Sequence, residues 1–400
     1  VTLRFWFDVV CPYAYVASTR VAALAAEAGV GVDWRPVLLG GLLKTHGVDP
    51  YPMRAMPPAK QAHTLRDIAR TADFHGVPLA IPAGHPRRTV EAMRTLAALP
   101  PGAVPDAAAR LFRAYWVDGL DLARPDVLAA ALAPAGIDAA ALLADPRSGE
   151  RLRANTAEAA SEGVFGVPSF RVGERLHWGA DRMAFVRADL GLPPAPPPPP
   201  GAGGRPVEVF YDFASPFAYL GAEAIEAVAA AAGSPVTWTP ILLGALFREI
   251  GTPDVPLHTF SAARAAWTRR DLHDHATWRG TPFTFASTFP LRTVLALRVA
   301  LLEPRARRPL FRAAWAEDRD LGRPEVVAEV LRAAGLDPGL VAAADGDAPR
   351  RRLRAHTDRA RDLGIHGVPT FVVDGERFWG QDRLDQVAAA LRAAPVGGPR

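Results

Sequence analysis

A repeat about the middle of the chain constrains the fold more than any single motif. FWFDVVCPYAY, from Phe5, and VFYDFASPFAY, from Val209, follow one design. WRPVLLGGL from Trp34 answers WTPILLGAL from Trp238, LFRAYW from Leu111 answers LFRAAW from Leu310, and GVPSFRVGERLHWGADR from Gly166 answers GVPTFVVDGERFWGQDR from Gly367. The offset is 204 residues at Asp8/Asp212 and Asp67/Asp271, 199 at Phe112/Phe311 and 201 at Pro168/Pro369. So long and constant a period means duplication of a whole domain of about 190 residues, not a solenoid of short units. Between the copies lies LPPAPPPPPGAGGRP, Leu192 to Pro206, a proline tract with a glycine end that reads as a spacer. The expected division is a domain over 1–192, a linker over 193–205 and a domain over 206–394.

Each copy reads in the same order. LRFWFDVV and VEVFYDFA are apolar runs of strand length that end at a proline-containing turn. YAYVASTRVAALAAEAG and FAYLGAEAIEAVAAAAG carry helical spacing and close with glycine. VGVDWRPVLL and SPVTWTPILL predict second strands, and a long Ala/Leu/Arg-rich stretch, about 42–160 in the first copy, predicts a helical insertion. VPSFRVGERLHW and VPTFVVDGERFW predict two short strands joined at a glycine turn, followed by closing helices with an Asp near the N-cap. A β-α-β unit, an inserted helical block, then α-β-β-α is the layout of a thioredoxin fold. The fold class is therefore α/β, as two tandem thioredoxin-like domains, each with a helical insertion.

Composition narrows the function. A chain that is 49% hydrophobic and 22% charged is globular, and its arginines are interspersed with Asp and Glu, which argues against a nucleic-acid partner. The single cysteine excludes an intrachain disulfide and any cysteine-rich metal site. Apolar runs are broken well short of the about 20 residues of a membrane span, and the chain opens without a signal-like segment, so a cytoplasmic protein without membrane association is expected.

With the strand, the [C/S]-P-[YF]-A-Y turn, the distant Val-Pro pair and the closing W-G-x-D-R together, each half resembles the family of kappa-class glutathione transferases and 2-hydroxychromene-2-carboxylate isomerases, within the DsbA-like group. The turn before a helix presents free backbone N–H groups and the positive end of the helix dipole, a place that stabilises a thiolate. In DsbA-like oxidoreductases that thiolate opens a C-P-x-C motif. Here the fourth position is Ala14 or Ala218, so the chain has no resolving cysteine for dithiol exchange.

The resemblance implies that Ser215 hydrogen-bonds the thiol of bound glutathione, so the hydroxyl need only donate to a sulfur brought from outside. Cys11 departs from that pattern, and three readings stay open: a weakened glutathione site, a thiol forming a mixed disulfide with a small thiol, and a structural residue. Val167-Pro168 and Val368-Pro369 match the cis-proline position facing the site, with backbone groups for the peptide part of glutathione. Asp181 and Asp382 match the position that holds the γ-glutamyl ammonium group; N-capping is their plain alternative. Lys60 and Arg264, each seven residues before Asp67 or Asp271, match a lysine that reaches the glycyl carboxylate, with solvation the alternative for Arg264.

Asn155 and His356, at matching positions, line the site or lie on a helix surface, and His273 and His275 read as a solvated helix face, with no metal site. The implied activity is glutathione-dependent cis-trans isomerisation of a small aromatic substrate in aromatic catabolism, with glutathione, or another low-molecular-weight thiol, as cofactor. The alternatives are glutathione transfer, single-cysteine redox chemistry and a non-catalytic DsbA-like binding protein. The family forms homodimers, which implies pairing of the two halves within one chain.

Overall fold

In the computed structural model, which describes residues 2–195 and 203–393, the first strand of each half runs straight into the turn that the repeat marks. Residues 196–202, the centre of the expected linker, lie outside the described residues, as do 394–400. The chain divides into two units. The first comprises described residues 2–55, 64–195 and 261–264, and the second comprises 56–63, 203–260 and 265–393. Two short segments thus group with the unit formed mainly by the other half of the sequence, which a cut at the linker does not express.

In the first unit β1 (Leu3–Phe7) leads into the helix Pro12–Glu27, then β2 (Val32–Pro36), and after the helical block β3 (Ser169–Val172) and β4 (Arg175–Trp178). The second unit repeats this with β5 (Val207–Tyr211), the helix Pro216–Ala230, β6 (Val236–Pro240), β7 (Thr370–Val373) and β8 (Glu376–Trp379). The sheets have the orders β2-β1-β3-β4 and β6-β5-β7-β8. The first pair of each is parallel because a helix crosses between its strands; the others are antiparallel. Both central strands are buried on both faces, which explains why LRFWF and VEVFY are nearly continuous apolar runs. These are the two thioredoxin-like domains with helical insertions expected from the repeat.

The insertions brace the turns. Trp116 and Trp315, both fully buried at the ends of helices Val104–Trp116 and Arg307–Trp315, donate their indole N–H to the carbonyls of Val9 (2.8 Å) and Phe213 (2.7 Å), two residues before Cys11 and Ser215. Tyr15 and Tyr219 donate from the following helix to the carbonyls of Pro78 and Pro282. The LFRAYW/LFRAAW repeat is thus a structural clamp.

Behind each turn sits a buried carboxylate. Asp8 accepts hydrogen bonds from the Val10 and Leu39 N–H groups and the Thr89 hydroxyl; Asp212 accepts from Ala214, Leu243 and Thr293 in the same way. Burial pushes both carboxyls above the usual range while these donors pull them down. Asp212→Ala leaves two N–H groups and a hydroxyl without their acceptor, and is expected to destabilise the second unit by roughly 2–4 kcal/mol; Thr293→Val, which removes one donor, costs about 1 kcal/mol. Urea unfolding of the full chain, followed by tryptophan fluorescence, measures both.

Candidate functional site

The two turns are built alike but hold different atoms. In the second unit Ser215 is the N-cap of the helix Pro216–Ala230, with extended backbone and Pro216 in the first helical turn, where a missing N–H costs nothing. Its Oγ accepts from the Ala218 N–H (3.1 Å) and donates to the Val368 carbonyl (3.2 Å). In the first unit Cys11 occupies the same cap and donates to the Val167 carbonyl at 3.2 Å, but its side chain caps no helix N–H. Sulfur is larger and a poorer acceptor than oxygen, so the helix-terminal bond is lost while the bond to the loop carbonyl remains.

Electrostatics separate the two further. Cys11 is buried, and burial pushes its thiol up to about 12, with Asp8 adding to the rise and the backbone N–H groups of Ala14 and Tyr13 opposing it. At neutral pH it is therefore a thiol. The helix terminus, which sequence reasoning expects to favour a thiolate, does not overcome desolvation.

The peptide bonds Val167-Pro168 and Val368-Pro369 are cis, as the sequence predicts; those at His85-Pro86 and Phe289-Pro290, for which the sequence offered no comparable context, are cis as well. Each Val-Pro loop is tied on both sides. The Pro168 and Pro369 carbonyls accept from Gly179 and Gly380 N–H (both 2.9 Å), and the hydroxyls of Ser169 and Thr370 donate back to Gly166 and Gly367 (both 2.7 Å). In the second unit the helix after Ser215 lies so close that a Cβ at Gly221 would stand 2.9 Å from Pro369 Cγ, so the loop and the helix start are held as one piece.

The other predicted residues fall around this frame unequally. Asp181 and Asp382 do not cap the closing helices. They sit in the short 3-10 turns Ala180–Arg182 and Gln381–Arg383, just past the glycines bonded to the loop prolines, because the W-G-x-D-R sequence inserts a tight turn before the helix. Asp181 pairs with Arg182 at 2.9 Å and Asp382 with Arg383 at 3.4 Å. Lys60 groups with the second unit, its Nζ 5.4 Å from the Trp379 ring centre. Arg264 groups with the first, its guanidinium 5.4 Å from the Trp178 ring centre, and burial lowers it to about 10.

Asn155 and His356 bond the carbonyls of Pro36 (3.1 Å) and Pro240 (3.2 Å) at the ends of β2 and β6. His273 is exposed, with its ring 5.0 Å from Phe283, but His275 is buried beside Asp271, which corrects the reading of both as a solvated face. Helix spacing does not reveal this, because Ala and Trp neighbours leave either face plausible for packing. Among the described residues no group of three or more His, Cys, Asp or Glu side chains is placed to hold a metal. Two clefts stand out. One of about 410 Å³ lies over Arg110, Arg113 and Asp126; another, of about 60 Å³, is lined by His258, Phe260, Arg269, Phe285 and Phe289. Neither includes Cys11 or Ser215, and the second is well short of the ~150 Å³ cavity known to admit benzene.

Sequence reasoning missed the clamp tryptophans, the anchoring carboxylates and the pair His63 and His366; the first two were visible as repeated positions, but nothing in the sequence gave them a partner.

Comparison with known proteins bears on the fold of each half. A DSBA-like thioredoxin domain matches residues 2–191 and again 206–392. Over 197 residues the chain is 29% identical to the 2-hydroxychromene-2-carboxylate isomerase of Sphingobium xenophagum, covering 47% of this chain and 97% of that protein. It is also 29% identical over 214 residues to glutathione S-transferase kappa 2 of Caenorhabditis elegans, covering 48% and 94%. A solved structure of a 2-hydroxychromene-2-carboxylate isomerase aligns with 48% of this chain and 95% of its own at 22% identity and a TM-score of 0.42. No helix among the described residues is long and apolar enough to cross a membrane. With both halves matched nearly end to end, the chain belongs to the DsbA-like thioredoxin domain family, in two tandem copies.

Proposed function

We propose that the second unit binds glutathione at Ser215 and uses it for cis-trans isomerisation of a small aromatic substrate resembling 2-hydroxychromene-2-carboxylate. The observation that carries this reading is the Ser215 hydroxyl, fixed at a helix start by Ala218 and turned toward the Val368 carbonyl of the cis-proline loop. It is a single donor at a helix start, in a chain that has no second cysteine to complete a disulfide cycle.

The donor set fits the cofactor. Ser215 would hold its sulfur, the Val368-Pro369 loop its peptide, Asp382 its ammonium group and Lys60 a carboxylate. Bound glutathione would supply a sulfur nucleophile that adds reversibly to a conjugated double bond and leaves once the single bond has rotated, so that the thiol is regenerated. For this the chain must redirect one proton, that of Ser215 Oγ, from the Val368 carbonyl to the sulfur. The oxygen keeps its bond from Ala218 and therefore does not move away from the helix terminus. The clamp from Trp315 to Phe213 and the close contact of Gly221 with Pro369 hold the donor and the loop in register.

The first unit offers a protonated, buried thiol in the same place and is the weaker site.

Ser215→Ala is expected to abolish glutathione binding by calorimetry and to lower isomerase activity on the chromene carboxylate roughly 10²–10³-fold, the usual loss for one catalytic hydrogen-bond donor. Cys11→Ser should leave that activity in place. Retained binding and activity in Ser215→Ala would sink the assignment, and conjugation of an electrophile without isomerisation would move it to glutathione transfer.

The state of Cys11 is separately measurable. Its folded value lies above the unfolded one, so stability is full below about 9 and falls as pH rises toward about 12, where the folded thiol ionises. Alkylation of the native protein by iodoacetamide is expected to be slow at pH 8 and to rise with pH well beyond the point at which an ordinary thiol levels off. Rapid labelling at pH 7 would instead show a thiolate.

A further inference from the structure

The larger cleft, of about 410 Å³, lies wholly within the first unit, between the helices Val104–Trp116 and Pro125–Leu132. Leu120, Val127, Ala130 and Ala131 give it an apolar wall, with Leu120 41% exposed at its edge. The charged side chains around it are already matched. Arg110 bonds Asp106 at 2.9 Å, Asp126 accepts from Arg124 at 2.6 Å, and Arg113 faces Asp118 at 3.7 Å. Among the described residues, no side chain that lines the cleft holds a buried polar atom lacking a hydrogen bond. The cleft therefore offers an ion no unmatched charge and a polar ligand no waiting partner, whereas a neutral molecule removes its apolar wall from water.

The second unit differs at two positions that matter here. At the offset of 199 residues that relates the two copies in this stretch, Leu120 corresponds to Arg319 and Ala130 to Glu329. Arg319, just past the helix Arg307–Trp315, pairs with Glu329 of the helix Pro324–Ala333 at 2.6 Å. The surrounding frame is kept: Arg113 and Val127 recur as Arg312 and Val326, and the Arg124–Asp126 pair recurs as Arg323–Glu325, also 2.6 Å apart. Both members of one ion pair are thus apolar in the first unit. Loss of one member would strand a charge; loss of both leaves an apolar trough where the second unit has a polar bridge.

Size and the rim specify the ligand further. The volume is more than twice that of the ~150 Å³ cavity known to admit benzene, which suits two fused or linked rings. Arg113 stands too far from Asp118 for a hydrogen bond, so its planar guanidinium can turn to lie along a ring face without giving one up.

We propose that this cleft of the first unit binds a neutral two-ring aromatic molecule, at a site that includes neither Cys11 nor Ser215 and does not depend on the glutathione reading.

Titration of the full chain with N-phenyl-1-naphthylamine, a neutral probe whose emission rises in apolar surroundings, tests it, with naphthalene and 1-naphthoate as competitors. The expected result is a saturable rise in emission, reversed by naphthalene and roughly tenfold less effectively by the naphthoate anion. The double variant Leu120→Arg/Ala130→Glu installs the pair that the second unit already folds with, and is expected to weaken probe binding roughly tenfold or more while thermal melting shows the fold kept. Phe289→Leu, in the aromatic cleft of the second unit, should leave probe binding unchanged. Equal affinity in wild type and a folded double variant, loss of binding in Phe289→Leu alone, or naphthoate competing as well as naphthalene overturns the proposal. Absence of a saturable rise overturns it too; if sedimentation then shows self-association of the wild type but not of the double variant, the trough is covered by a second copy of the chain instead.

Discussion

A buried carboxylate behind the strand-to-helix turn holds each unit together at Cys11 or Ser215. Asp212 joins the end of β5, the start of the segment after β6 and the threonine that opens an insertion helix; Asp8 does the same in the first unit. Three chain segments distant in sequence meet on one side chain. Such a group is costly to bury alone and is tolerated because every donor around it is fixed by the backbone it anchors. The tryptophan clamp, the cap and the cis-proline loop all depend on the turn that this carboxylate positions.

Upon that shared frame the two turns differ by one atom. Oxygen in Ser215 both caps its helix and donates to the loop, whereas sulfur in Cys11 keeps only the second bond and stays protonated in its buried setting. One duplication thus carries two environments: a hydroxyl that caps its helix and donates to the loop, and a thiol whose ionisation is suppressed. The contrast extends to the residue before the loop, Phe165 in one unit and the buried imidazole of His366 in the other. The second unit concentrates the polar features.

Much of this was legible without coordinates. The repeat, with its constant offset, determined two domains of one fold; the alternation of apolar strands, glycine-stopped helices and Val-Pro pairs determined a thioredoxin layout with a helical insertion; and the turn residues Cys11 and Ser215 stood out because a Pro follows each at a helix start. These are local properties, and local backbone preferences express them directly.

Only the tertiary structure decided what each of those residues touches. Ionisation of Cys11 depends on burial, which no neighbouring residue in the sequence reports. Lys60 lies in the first half of the sequence, yet it groups with the second unit, over Trp379. Asn155 and His356 proved to brace strand ends, and His63 and His366, more than 300 residues apart, became neighbours. Sequence periodicity shows which face of an element is apolar, but the partner across that face is chosen by packing, where desolvation and unmet hydrogen bonds decide the chemistry of a side chain.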